Sequence, residues 1–431
     1  MVLAERDGLL NQAVKEKSDL KQSRKAFRGW WIAGAVSITY GVAQGIPYYN
    51  ISFFYDYFQR AFGWTKADIT LGFPLAALFT VWVGPVLIPR FSQRKLILFG
   101  TFSTALSLAG FAWMRGSLAV YFALWALYTV GYLTSGPIPH QIIISHWFAR
   151  KRGTAMGIAY LGVGIVGSLG SVLVKYMTTA YGFRTALLAL AACMFAGWPL
   201  VMLVLRDRPA DCGETMDGAE SRMEAAPLSP LSLRQLLRLR AFWFLLLGSV
   251  CSIGSVGAIA QHMKFIFLDA GFTLGPRLDA TWRTASVIVL CSSTAGRLLI
   301  GLLADWMSTR IVMIGSYLLT ALTVLPLMTM NSSHPPYVFA IVFGIAMGAD
   351  YMLIPLMVAE EFGLATVTRA MALILPINTI AQTWFPYLIA VLRDHSTSYR
   401  FPLSVVIGVA IVGVVSMLLM PLKQKTETQT A

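Results

Sequence analysis

Long apolar stretches separated by short polar breaks recur along the whole chain. Each stretch contains about 20 or more mainly apolar residues, the length that an α-helix needs to cross a hydrocarbon core about 30 Å thick. We count twelve stretches and number them as spans one to twelve. Their approximate ranges are 29–53, 68–88, 96–114, 118–143, 154–176, 185–205, 242–267, 281–304, 311–330, 336–358, 370–392 and 399–421. The pattern predicts an all-α polytopic membrane protein.

Composition supports this interpretation and excludes a soluble domain, because 57% of the residues are hydrophobic and only 13% are charged. The net charge of +14 reflects an uneven distribution of 34 lysines and arginines. Most of them lie in the N-terminal tail, the C-terminal tail and the loops that follow even-numbered spans. Cytoplasmic loops collect such residues. Both termini are therefore predicted to lie on the cytoplasmic side of a plasma membrane, such as a bacterial inner membrane. The positive charge is explained in this way, and nucleic-acid binding is not predicted.

A long polar, proline-containing break joins spans six and seven and divides the chain into halves. The predicted divisions are a cytoplasmic N-terminal tail (1–28), a six-helix half (29–205), a cytoplasmic central loop (206–240), a second six-helix half (241–422) and a cytoplasmic C-terminal tail (423–431). From Ser232 onward, the central loop has the pattern of a capped amphipathic helix.

The halves show a weak internal repeat. The segment from Leu87 to Arg94 matches the segment from Leu303 to Arg310 at an offset of 216 residues. A second match joins Arg152-Gly-Thr-Ala-Met to Thr368-Arg-Ala-Met at nearly the same offset. Two repeated six-span halves are typical of transporters that bind substrate between the halves, near the middle of the membrane.

Arg297 stands inside span eight, about 12 Å from its polar end at Asp305 and near the middle of the membrane. An unpaired arginine at this depth costs about 3 to above 10 kcal/mol, so such residues usually face a cavity and carry function. A role in substrate binding or coupling and a role in pinning two helices both remain open. Asp350 in span ten lies at nearly equal depth, which suggests a pair. Asp350 could act as a protonatable counter-ion, form a permanent structural pair, or face another polar group.

Polar side chains in otherwise apolar spans are further candidates for lining a cavity. These side chains are Tyr40, Gln44, Tyr48, Tyr132, Tyr351, Asn378 and Gln382. The first three recur every four residues and are predicted to share one face of span one. Asn378 and Gln382 repeat that spacing in span eleven. Interfacial aromatic belts and hydrogen bonds between helices are the alternatives to a substrate-lining role.

The motif from Gly301 to Asp305, followed by Arg310, resembles the loop signature of the major facilitator superfamily. Its first-half copy has Pro89 in place of the aspartate. Three further stretches resemble the monocarboxylate and oxalate/formate branch: Trp147 to Gly157, Gly296-Arg297, and Gly348-Ala-Asp350 with Phe362-Gly363. The resemblance implies twelve transmembrane helices in two pseudo-symmetric halves.

The same resemblance places Arg297 where that branch has an arginine for the substrate carboxylate. A guanidinium fork suits that partner. Ser293 replaces an aspartate of proton-coupled members, and Tyr48 replaces their lysine, so a different carboxylate or coupling scheme is expected. Ser293 is also a candidate substrate contact. Asp305, Arg310, Arg94 and Arg152 are predicted to act as gating residues at the inner face.

These features predict a secondary active transporter that moves a small organic anion, such as a monocarboxylate, by alternating access. Coupling to protons and anion exchange both remain open. The alternative is an exporter of amphipathic or drug-like compounds. Such an exporter would need a large apolar cavity with acidic groups, which Arg297, inside span eight, does not fit. No catalytic, ATP-binding or metal-binding motif stands out, so neither enzymatic activity nor a cofactor or metal is predicted. The expected partners are the substrate anion, protons and membrane lipids, and the chain is expected to function as a monomer.

Overall fold

The computed structural model describes residues 27–217, 231–272, 276–330, 336–396 and 398–421. The two predicted tails lie almost wholly outside these residues. Ten helical stretches are long and apolar enough to cross a membrane. They build spans three to twelve, which comprise Gln93–Trp113, Leu118–Ser135 with Pro137–Trp147, Arg152–Tyr181, Phe183–Cys193 with Trp198–Leu203, Arg240–Asp269, Pro276–Trp306, Thr309–Thr329, Tyr337–Phe362, Leu364–Asp394 and Arg400–Leu419.

Spans one and two are helical but interrupted. Span one consists of Gly29–Tyr40, a π-helical turn at Gly41–Gly45, Ile46–Asn50, a 3₁₀ turn at Ile51–Phe54, and Tyr55–Phe62. Span two consists of Lys66–Thr70, Gly72–Thr80 and Val83–Leu87. Both contain glycine and proline, which membrane helices tolerate where neighbouring groups satisfy the backbone. Helical structure in span one continues past the predicted end at residue 53, because Tyr55–Phe62 buries Phe58 on one face.

Short turns and one capped helix connect the spans. Gly363 has φ +80°, a conformation that favours glycine, and this turn lets span eleven begin directly after span ten. In the central loop, the Ser232 hydroxyl accepts a hydrogen bond from the Gln235 backbone amide and caps the helix Leu233–Arg238. The predicted capped helix is therefore confirmed, and Leu236 is its buried anchor.

The two halves repeat one contact at the predicted offset. The Arg94 guanidinium donates hydrogen bonds to the carbonyl groups of residues 201–202, at 3.1 and 2.7 Å. The Arg310 guanidinium donates to the carbonyl groups of residues 417–418, at 2.9 and 2.5 Å. Donors and acceptors are both 216 residues apart. In each half, this arginine caps the C-terminal end of the last span, where exposed carbonyls favour a positive charge.

The hydrophobic core shows where the halves meet. One cluster contains residues of both halves, including Ile142 and Met156 with Met357 and Met371. A second cluster contains only residues of the first half, and a third contains only residues of the second. The shared cluster lies toward the end of the bundle that carries Asp305, which we call the Asp305 end. The halves are thus packed together at the Asp305 end and have separate cores at the opposite end.

Candidate substrate site and gate

Arg297 projects from span eight toward the first half. A Cβ atom at Gly157 would lie 2.7 Å from the Arg297 carbonyl oxygen, so only a glycine allows this close approach of spans five and eight. The side chain then runs along span five, where its guanidinium donates to the Tyr160 carbonyl oxygen at 3.0 Å. The guanidinium carbon also lies 5.7 Å from the Tyr160 ring centroid. Arg297 is 7% exposed and therefore sits in the contact between the halves.

Asp350 does not pair with Arg297, so the expected ion pair is wrong for this conformation. The Asp350 carboxylate accepts a hydrogen bond from the Ser252 hydroxyl at 2.6 Å, and its second oxygen has no hydrogen-bond partner among the described residues. Equal depth does not fix direction around a helix. Gly348 faces span eight, whereas Asp350 follows two residues later, about 200° around the helix, and faces span seven.

The first half contributes a glutamine and two tyrosines that contact one another. The Gln44 amide donates to the Tyr132 hydroxyl at 3.2 Å, and the ring of half-buried Tyr48 lies 6.2 Å from that of Tyr132. Tyr40, one turn before Gln44, packs edge-on against Tyr160 at 5.1 Å between ring centroids. Its ring stacks on His140 at 5.0 Å and is 2% exposed. A π-helical turn at Gly41–Gly45 separates Tyr40 from Tyr48, and the shared face of Tyr40, Gln44 and Tyr48 stays a prediction.

The second half contributes a tyrosine and a glutamine that are both half-buried. The Tyr351 hydroxyl donates to the Gln382 side-chain oxygen at 2.8 Å. Asn378 does not lie with them, since it is 0% exposed and accepts a hydrogen bond from Ser249 of span seven. Ser293 is also 0% exposed and packs against span ten at Gly348. Hydrogen bonding between helices therefore explains Asn378, and neither residue lines open space in this conformation.

Asp305 connects the two halves by hydrogen bonds at the Asp305 end. Its carboxylate accepts hydrogen bonds from the backbone amides of Gly153 at 2.6 Å and Thr154 at 3.0 Å, and from the Thr154 hydroxyl at 2.5 Å. These amides begin span five, where unpaired N–H groups and the helix dipole favour a negative charge. Arg152 lies beside them and donates to the Phe148 carbonyl oxygen at 2.8 Å, within its own half. The contact resembles an N-terminal cap supplied by the other half.

The sequence model of the major facilitator superfamily matches residues 41–349. The chain belongs to the major facilitator superfamily. Together with the apolar helices, this makes it a multi-pass integral membrane protein with the fold of the superfamily's transporters. The predicted fold is thus confirmed.

Curated relatives and solved structures agree with this family assignment. Monocarboxylate transporter 11 of Mus musculus is 25% identical over 398 residues, which covers 86% of this chain and 82% of the relative. The Homo sapiens protein of that name is 24% identical, with 86% and 78% covered. The outward-conformation structure of FucP has a TM-score of 0.66 at 13% identity, covering 92% and 100%. The proton:xylose symporter XylE, bound to 6-bromo-6-deoxy-D-glucose, has a TM-score of 0.69 at 13%, covering 92% and 96%.

Two residues of this superfamily member escaped the sequence analysis. Gln141 of span four donates to the Tyr160 hydroxyl and, at 3.0 Å, to the Tyr351 carbonyl oxygen. Tyr160 in turn accepts the hydrogen bond from Arg297. One glutamine and one tyrosine in apolar spans are weak signals by themselves. Their position between the halves depends on the break in span four at Gly136, which the pattern of apolar residues does not locate.

Proposed function

We propose that this protein is a secondary transporter of a small organic anion, with a monocarboxylate or a similar carboxylate as substrate. One observation carries the proposal: within the described ranges, buried Arg297 forms no ion pair with an acidic side chain. A buried guanidinium without a counter-ion is costly, and a carboxylate is the anion that best matches its planar fork. The printed name of the curated relatives, monocarboxylate transporter, supports the same substrate class.

Polar side chains of both halves supply the remaining contacts in this proposal. Arg297 binds the carboxylate, while the hydroxyls of Tyr48, Tyr132 and Tyr351 and the amides of Gln44 and Gln382 orient the rest of the anion. Hydroxyl and amide groups can both donate to an anion. These residues come from both halves, so a bound anion would contact both sides of a rocking bundle. One chain contains every proposed contact, which supports a monomeric functional unit.

Asp350 is the proposed site of proton coupling, although it does not pair with Arg297. Its carboxyl group is 2% exposed and is hydrogen-bonded only through one oxygen, so a negative charge there is poorly compensated. Binding a proton removes that charge. The next residue, Tyr351, donates a hydrogen bond from its hydroxyl to the Gln382 side-chain oxygen. We propose that span ten conveys the protonation of Asp350 to the anion site through Tyr351.

The distribution of basic residues supports an orientation in a plasma membrane with both termini on the cytoplasmic side. In that orientation the Asp305 end is the cytoplasmic end. The described conformation is then closed toward the cytoplasm, and Asp305 belongs to the inner gate.

A ligand screen by thermal shift tests the substrate class. A ligand that binds only the folded protein raises its apparent stability, by about 2.7 kcal/mol at a hundredfold excess over Kd. We expect stabilisation by short carboxylates and none by their uncharged amides, with weakened stabilisation in Arg297→Lys. Stabilisation by amphipathic or cationic compounds alone would support the drug exporter and contradict the anion proposal.

Asp305→Asn is expected to reduce the turnover of transport more than the affinity for substrate. The amide retains one acceptor oxygen but loses the negative charge that complements the start of span five. The closed state at the Asp305 end is therefore weakened, while the central site keeps its groups. Initial rates of uptake over a range of substrate concentrations separate the two effects.

Asp211→Asn is the matched control, because this exposed carboxylate caps a turn of the central loop and contacts neither gate nor site. Its kinetics should equal those of the wild type. A loss of affinity at unchanged turnover in Asp305→Asn would argue against a gating role.

A further inference from the structure

Gln141 lies between the Asp305 end and Arg297, in the contact between the two halves. It belongs to the helix Pro137–Trp147 and is 1% exposed. Counted at about 1.5 Å per residue, it lies about 9 Å from the end of its helix, whereas Arg297 lies about 14 Å from the end of span eight. From the Asp305 end toward the middle of the membrane, the order of these residues is Asp305, Gln141 and Arg297.

The Gln141 amide nitrogen makes two hydrogen bonds, one to each half. It donates to the Tyr160 hydroxyl in the first half and to the Tyr351 carbonyl oxygen in the second, at 3.0 Å for the latter. A carbonyl oxygen can only accept, so the amide must present its nitrogen to Tyr351, and this fixes the orientation of the group. A single NH₂ group therefore bridges the two halves.

The Gln141 amide also contacts Tyr160, the residue that accepts the hydrogen bond from Arg297. Tyr160 receives the Gln141 hydrogen bond on its hydroxyl and the Arg297 hydrogen bond on its carbonyl oxygen. The Gln141 side-chain oxygen is buried and has no hydrogen-bond partner among the described residues. An unsatisfied buried acceptor is unfavourable, so packing alone is a poor reason for an amide at this position. The hydrogen bonds that the Gln141 amide makes to both halves are a better reason for an amide here.

We infer that Gln141 is a positioning residue that holds the Asp305 end closed and fixes Tyr160 beneath Arg297. Opening of that end separates the halves and must break the bond from Gln141 to Tyr351. The inference concerns the same site as the proposed function and rests on its alternating-access mechanism. Closure can nevertheless be measured without any substrate, so failure of the anion proposal and failure of this inference are distinguishable.

The test is the reactivity of a buried cysteine at the Asp305 end. Ala155 is 0% exposed and belongs to the core cluster shared by the halves. In a variant whose four native cysteines are replaced, Ala155→Cys reports each opening by its rate of modification with N-ethylmaleimide. Gln141→Met keeps the length of the side chain and removes the hydrogen bonds. Gln93→Met is the matched control, because Gln93 is a buried glutamine of the first half and makes no hydrogen bond to the described residues of the second.

We expect Gln141→Met to raise the modification rate about fivefold, which corresponds to the loss of a typical hydrogen bond. The rate in Gln93→Met should stay at the wild-type value. The apparent affinity for substrate offered at the opposite end should change little, because a fivefold rise in a minor population removes few molecules from the state that is open at that end. Gln141→Asn, which keeps the amide but not its reach, should act in the same direction if the methionine variant does not fold. Unchanged modification rates in the folded variants would overturn the inference.

Discussion

Arg297→Lys is expected to lower transport of the substrate anion by about tenfold to a hundredfold while the protein still folds and inserts. Lysine keeps the positive charge but replaces the planar fork with a single ammonium group, so two-point binding of a carboxylate is lost. A hydrogen bond to a charged group contributes about 1.5–3 kcal/mol, which gives the range stated. The shorter reach also breaks the bond to the Tyr160 carbonyl oxygen. Initial uptake rates in liposomes, normalised to the amount of inserted protein, measure the effect.

Arg393→Lys is the control for this substitution. Arg393 lies in the same half and is partly buried, but it forms an ion pair with Asp269 at 3.0 Å at the end of that half opposite to Asp305, away from the central site. Lysine can keep that pair, so uptake should remain near the wild-type rate. Wild-type uptake in Arg297→Lys would remove Arg297 from the substrate site.

Asp350→Asn is expected to abolish acceleration by a proton gradient while anion exchange continues. Asparagine resembles the protonated carboxyl group in size and charge, and it can still accept the hydrogen bond from Ser252. Protonation can then no longer change at this position. A pH gradient that is acidic outside should accelerate net uptake by the wild-type protein and leave the variant unaffected. Counterflow, in which labelled substrate exchanges for unlabelled substrate, should proceed in both.

Asp394→Asn serves as the control, because Asp394 is an exposed carboxylate at the end of span eleven. Its uptake should still respond to the gradient. If Asp350→Asn accumulates substrate against its gradient when only protons drive the process, the coupling site lies elsewhere. Asp350 would then be a structural partner of Ser252.

The repeat and the helix ends were the most predictable features, because they depend on local chemistry. The match of the segment Leu87 to Arg94 with the segment Leu303 to Arg310 predicted a repeat between the halves, and Arg94 and Arg310 cap equivalent helix ends. The cap at Ser232 followed from its spacing to Gln235. The Ser232 cap joins neighbours in sequence, and the two arginine contacts are copies of each other in the two halves.

Contacts that depend on rotation about a helix axis were less predictable. The depth of Asp350 followed from its position in span ten, but its direction is set by the glycine at 348 that lets spans eight and ten pack closely. The register between two packed helices is not visible in the pattern of apolar positions.

The central claim is that the protein moves a small carboxylate through the site at Arg297, and counterflow in liposomes tests it most directly. Liposomes that contain the purified protein are loaded with an unlabelled short carboxylate and diluted into the same compound carrying a label. The account predicts transient accumulation of label by the wild type, strong reduction in Arg297→Lys, and no accumulation of the corresponding amide. Equal accumulation of label by Arg297→Lys and the wild type, or accumulation of the amide as well as the acid, would contradict it.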